Sequence, residues 1–207
     1  MSFGYQVLGF GGSGTAASAG NDNGLFGYGY TGLSMTNIVS NVGVVGTDVT
    51  GVGTGRGVGA ACEYGGDKAI FGYGNAFPGT TFVSMTNLVT NVGVVGTDVT
   101  GVGTARSALA ACSYGGDKGI FGYGNRSPGA RSMTNLVTNV GVVGTDVTGV
   151  GSVNDDRAAC EYGVDTAIFG FGHNAPGGSP TYLSITNLVS NTGVCSTDVA
   201  GVGTVKK

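Results

Sequence analysis

The sequence predicts an all-β protein, a β-propeller of four units of about 50 residues with four strands each, and three observations carry that prediction. One phrase returns four times: "NGLFGYGY" at 23–30, "KAIFGYGN" at 68–75, "KGIFGYGN" at 118–125 and "TAIFGFGH" at 166–173. A chain of 207 residues holds 44 glycines, against an ordinary share of roughly 7%, and no G-x-y period runs through them, which argues against collagen. The hydrophobic 41% falls in short β-branched or aromatic runs, apolar surface of a kind that disordered chains lack.

Residues 1–11 match no other segment well and read as an extra edge strand or a docking arm; 12–207 read as one four-repeat domain. Within a unit, strand a is "ALAACSY" (108–114), followed by the turn "GGD" and strand b, "KGIFGYG" (118–124). Gly-Gly-Asp between apolar runs signals a hairpin, because glycine accepts the positive φ of tight turns. Strand c is "MTNLVTNVGVV" (133–143) and strand d lies around "TDVTGV" (145–150). Four strands of five or six residues fill the repeat. Asn37 and Phe71, Asn87 and Phe121, and Asn135 and Phe169 are each 34 residues apart, so the unit tolerates no insertion there. The connection at 30–33, 75–83, 125–131 and 173–183 instead has lengths of 4, 9, 7 and 11. Variation confined to one connection of a rigid repeat marks a surface loop on one side of the assembly.

Strand side chains alternate faces, so Phe121 and Tyr123 are expected on one face and Ile120, Gly122 and Gly124 on the other. The aromatic face of one unit then fits the bare face of its neighbour, and Phe26, Tyr28, Phe71, Tyr73, Phe121, Tyr123, Phe169 and Phe171 are the expected contacts between blades. Such heterologous contacts run on as a filament or close into a ring. Counted c-d-a-b, three blades are continuous at about 34–74, 84–124 and 132–172, and the fourth combines 184–204 with 12–30. Both ends of the chain are therefore expected in one sheet. Two chains forming one eight-bladed ring is the alternative.

"ARSALAACSYGGDKGIFGYGN" resembles the kelch and chromosome-condensation-regulator type of propeller repeat, with an Arg before a small-residue strand, an Asp-Lys turn and a strand ending in Gly-x-Gly-Asn. It departs from that type in lacking Trp, in replacing the double glycine by FGYG and in having four units. The fuller unit "DKAIFGYG…TNLVTNVGVVGTDVTGVGTARS" is similar, over about 12–204, to repeats of structural and tail-fibre-like proteins of bacteriophages and other large viruses. The resemblance implies a virion-associated or host-recognition part and no catalytic residue.

Only 10% of residues are charged and the net charge is −3, so no basic face exists to neutralise a phosphate backbone and nucleic acid is not an expected partner. No apolar run approaches the roughly 18 residues that cross a bilayer, and "MSFGYQVLGFGG" lacks the form of a signal peptide, so the expectation is synthesis in a host cytoplasm and residence in the virion. Cys62, Cys112 and Cys160 recur where the first copy has Ala17, and Cys195 replaces a valine; all four read as unpaired packing thiols, with a Cys160–Cys195 disulfide as the alternative.

Asp48, Asp98, Asp146 and Asp198 recur in "TDVTGVG" or "TDVAGVG". Four carboxylates round a channel would suit Ca²⁺, but local turn residues bonding nearby amides are the preferred reading. Arg56 and Arg106 align as structural residues bonding carbonyls between blades, a pattern broken in the third linker, where Asn154 aligns and Arg157 lies three places along. His173, the only histidine, has no carboxylate or nucleophile in "GFGHNAPGG" and reads as a loop residue. The variable loops carry the interaction chemistry: Phe77 and Phe82, Arg126 and Arg131, and His173, Asn174 and Tyr182. The expected protein is a non-enzymatic structural, decoration or fibre component of a virion, assembling with virion proteins or copies of itself and reaching a host surface glycan. The alternative is a lectin-like module. No cofactor, metal or membrane insertion is expected.

Overall fold

Gly65 and Gly66, both at positive φ, reverse the chain between Ala60–Tyr64 and Lys68–Gly72, and Gly115 and Gly116 do the same between Ala110–Tyr114 and Lys118–Gly122. The computed structural model describes residues 6–9, 22–78, 81–174 and 179–205. Its described residues are all-β, built as small antiparallel sheets with no helix. Four three-stranded sheets repeat one plan. The first is Gln6–Gly9, Gly24–Gly29 and Leu33–Val39; the second adds Thr86–Val89 to the hairpin of 60–72; the third adds Thr134–Val137 to 110–122; the fourth is Ala158–Tyr162, Thr166–Gly170 and Thr186–Val189. Register is constant, with Phe71 opposite Asn87, Phe121 opposite Asn135 and Phe169 opposite Asn187.

The expected strand c does not run through to 143. Thr138 accepts the Val142 amide on its side-chain oxygen, Gly141 takes positive φ, and the chain doubles back so that Val143 bridges to Val137 and Val147 to Thr134. Each unit is thus three strands and a bridged return.

Successive sheets stack face to face, and glycine makes the approach possible. A Cβ on Gly27, Gly72 or Gly122 would lie 2.7, 2.7 or 2.6 Å from the ring tip of Phe71, Phe121 or Phe169 respectively, each in the following sheet. Three apolar clusters result, one per junction. The middle one packs Ala60, Cys62, Tyr64, Ile70 and Tyr73 of the second sheet on Leu109, Phe121 and Val137 of the third.

The tyrosine of FGYG departs from the expected alternation. Tyr28, Tyr73 and Tyr123 have φ of 61°, 62° and 62°, and Phe171 matches them at 62°. This left-handed turn costs a non-glycine residue about 1–2 kcal/mol. It sends the Tyr ring to the face opposite Phe, where Tyr73 meets Phe121 of the next sheet at 5.2 Å between centroids, Tyr28 meets Phe71 at 5.1 Å and Tyr123 meets Phe169 at 5.2 Å. Aromatic pairs of this kind contribute about 0.5–1.5 kcal/mol beyond area burial, which offsets much of the backbone cost. Backbone bonds tie the junctions too: Ala108 donates to the Val58 carbonyl at 2.8 Å and Asp156 to that of Ala108 at 3.0 Å, all three residues being left-handed.

Among the described residues the expected joining of the chain ends in one sheet is not found, and residues 12–21 of that expectation lie outside them. Gly24–Gly29 pairs with Gln6–Gly9 and Leu33–Val39, whereas Thr186–Val189 pairs with Thr166–Gly170. The backbone of Leu8, opposite Leu25 as Cys62 is opposite Ile70, holds the strand position that the repeat alignment gives to Ala17, which lies outside the described residues. The fourth sheet's outer face is also uncovered: Ala158, Cys160 and Tyr162 are exposed where their counterparts in the second and third sheets are buried. The contact that closes a ring is therefore not made by the described residues.

Candidate functional site

The variable connections form short ribbons at one edge of the sheets: Asn75–Ala76 with Thr81–Phe82, Asn125–Arg126 with Gly129–Ala130, and His173–Asn174 with Thr181–Tyr182. Each is anchored to the linker of its own unit, through Arg56–Gly57, through Ser107 bridged to Asn125, and through Asp155 bridged to His173. The edge is therefore a row of ribbons on a rigid support. Phe77 stands 6.2 Å, ring to ring, from Tyr30 of the preceding unit, and Gly32 leaves room for it. Phe82 is half-buried on the facing strand. Arg131 donates to the carbonyls of Gly129 and Ala130, which commits it to its own ribbon, whereas Arg126 is exposed. Tyr182 lies 5.9 Å from the His173 ring, and Asn174 pairs with Thr181. A crevice lined by Tyr28, Arg56 and Phe71 holds about 10 Å³, room for one water, and is no substrate site.

His173 has the carboxylate neighbours that its local sequence lacks. Its Nε2 is 3.3 Å from Asp155 Oδ1 and its Nδ1 is 3.7 Å from Asp156 Oδ2. Asn125 of the preceding unit donates to the other Asp155 oxygen at 2.6 Å. Burial holds the Asp156 carboxyl above its usual range, reinforced by the Asp155 charge and opposed by His173. Ligand atoms of the three residues fall within 4.8 Å of one another. The imidazole, however, turns a different nitrogen to each carboxylate, the arrangement of a histidine bridging two acids; a cation would need one nitrogen and both oxygens round a single point.

The repeated Asp residues act between units rather than in local turns. Asp98 accepts from the amide of Thr54 at 2.9 Å, from its hydroxyl at 2.7 Å and from Asn87 at 3.0 Å, and Thr54 belongs to the preceding unit. Asp146 takes the same bonds from Thr104 and Asn135, and Asp198 from Ser152 and Asn187. Gly53, Gly103 and Gly151, all at positive φ, let the donor segment close on the carboxylate, because a side chain there would strike it. Partial burial alone would raise these three acids, but the hydroxyl, amide and Asn donors hold each below the usual carboxylate range. Asp48 accepts only from Asn37 among the described residues.

The arginine pattern, broken in sequence, is whole in space. Arg56, Arg106 and Arg157 lie over the rings of Tyr28, Tyr73 and Tyr123 at 4.4, 4.5 and 4.1 Å, always the tyrosine of the preceding unit. Each also donates to the carbonyl of its own strand b or the residue after it: Phe71, Tyr123 and Phe169. Arg157 reaches this place from three positions further along. All four cysteines are free; Cys62 and Cys112 are buried, and desolvation pushes the Cys62 thiol up to about 12, whereas Cys160 is exposed.

Sequence reasoning placed Phe71, Phe121 and Phe169 between units but missed the Asp–Thr clamp, the spatial equivalence of Arg157 and the Asp155–His173 pairing. One signal for the last was present: Asp155, Asp156 and His173 replace Ser107, Ala108 and Asn125 together in the same copy. No protein-family model and no curated protein sequence matches the chain.

Proposed function

We propose that this chain is a non-catalytic structural module whose stacked units serve protein–protein assembly, in a virion particle or fibre, where the resemblance of its repeats to tail-fibre-like proteins supports the setting. One observation carries the reading: the repeated groups best able to do chemistry, Asp98, Asp146 and Asp198 with Arg56, Arg106 and Arg157, are spent on contacts from one unit to the next. The units form an open stack of blade-like sheets rather than a closed four-bladed ring. Half-burial of Phe26, against 1% exposure or less for Phe71, Phe121 and Phe169, supports the open form. Mass spectrometry of purified particles tests the assignment: the chain should appear in fixed ratio to the other particle proteins, and its confinement to the unassembled fraction would count against it.

The ribbon edge favours a second reading, glycan binding through the aromatic groups at Tyr30–Phe77 and His173–Tyr182. Robust signals on a glycan array that vanish in Phe77→Ala and Tyr182→Ala would establish it.

A further inference from the structure

The two end sheets are the separated halves of the junction that occurs three times inside the chain. On the receiving side, the fourth sheet repeats the Ala-Ala-Cys-x-Tyr strand, yet Cys160 and Tyr162 are exposed where Cys62, Tyr64, Cys112 and Tyr114 are buried. Gly170, which corresponds to Gly27, Gly72 and Gly122, has among the described residues only Thr186 beside it and no following ring. On the inserting side, Phe26 is half-buried, and Asp48 lacks the Thr or Ser donors that fill Asp98, Asp146 and Asp198. The matching donor is Thr204, in the same "GVGT" phrase as Thr54 and Thr104; it is exposed, and Gly203 before it faces open space. Ring socket, ring, clamp donor and clamp acceptor all recur at the two end sheets, and no described residue fills them there.

We infer that a second copy of this chain docks end to end, its first sheet on the fourth sheet of its neighbour, with Phe26 over Gly170 and Thr204 donating to Asp48. This deepens the assembly reading and rests on it. The contact is heterologous, so it repeats without closing unless the rotation per copy completes a ring. Cys160 passes from exposed to covered when it forms.

Sedimentation over a hundredfold concentration range, with iodoacetamide labelling of Cys160, tests this. The expected result is a mean mass that climbs past two chains and labelling at least tenfold slower at the top of the range. Tyr162→Lys blocks one end and Phe26→Lys the other; each alone should stay monomeric with an unchanged circular dichroism spectrum. Mixed, they should form a dimer that grows no further, since each retains one intact end. Cys160→Arg provides a second block should Tyr162→Lys misfold. A wild-type chain monomeric throughout, dimerisation of Phe26→Lys by itself, or a mixture that stays monomeric would overturn the inference. A monomer that still enters particles at fixed ratio would do so while leaving the assembly reading in place.

Discussion

Truncating the four equivalent phenylalanines one at a time distinguishes an open stack from a closed ring. Phe121 is fully buried, its ring tip fills the space over Gly72, and Tyr73 lies against it. Removal of such a ring costs about 3–5 kcal/mol, since the backbone around a glycine socket has no side chain with which to refill the hole. Phe26 is half-buried, so Phe26→Ala in dilute solution should cost about 1–2 kcal/mol, a fraction of full aromatic burial. The assay is urea unfolding followed by circular dichroism at low protein concentration. Phe121→Ala should also broaden the transition, because a weakened middle junction lets the outer pairs of units unfold separately, as expected where each repeat touches only its neighbours. Equal losses for Phe26→Ala and Phe121→Ala would exclude the open stack, since a ring buries all four alike.

Three further expectations concern charge. Asp98→Ala removes the acceptor of three donor groups and should lower stability by about 2 kcal/mol, whereas Asp48→Ala, with one donor among the described residues, should lower it by under about 1 kcal/mol in the same unfolding assay. Because Asp98, Asp146 and Asp198 titrate lower in the fold than the unfolded value of about 3.9, their contribution is complete above that pH and disappears as pH falls through the folded values; a pH series of melting temperatures should drop below about pH 4. Glu63 runs the other way: burial first, then the charges of Glu161 and Asp67, raise it to about 7, so its ionisation opposes folding from about pH 4 upward and fully above 7. Glu63→Gln should therefore raise the melting temperature at pH 8 and change it little at pH 4; no gain at pH 8 would contradict the assignment.

The repeat, its strands and the match of ring to bare backbone were legible because large and absent side chains at fixed spacing leave few ways to pack. The direction of Tyr73 was not, since a single left-handed residue reverses the alternation and only the tertiary contact with Phe121 shows why the chain accepts it. Asp98 was legible as a repeated acid, but its donor Thr54 lies 44 residues earlier, and spacing within one copy cannot reveal a bond between copies. Arg157 escaped because alignment compares positions along the chain, whereas a long side chain can reach the same ring from a shifted origin. Likewise Asp155 and His173 are far apart in sequence and adjacent only through the bridge between linker and ribbon. Residues 1–11 read as an extra edge strand or a docking arm, and Gln6–Gly9 is an edge strand; that it pairs where the other copies place their first strand was hidden, because its residues do not resemble theirs.

The bonds from Ala108 to Val58 and from Asp156 to Ala108 join one sheet to the next across the faces rather than within a sheet. Tension applied between the two end sheets would load these links in series with the aromatic sockets and carboxylate clamps, so the weakest junction would yield first while its neighbours held. Extension would then proceed as discrete steps, one junction at a time, so that the stack absorbs work by sequential rupture in place of a single collapse.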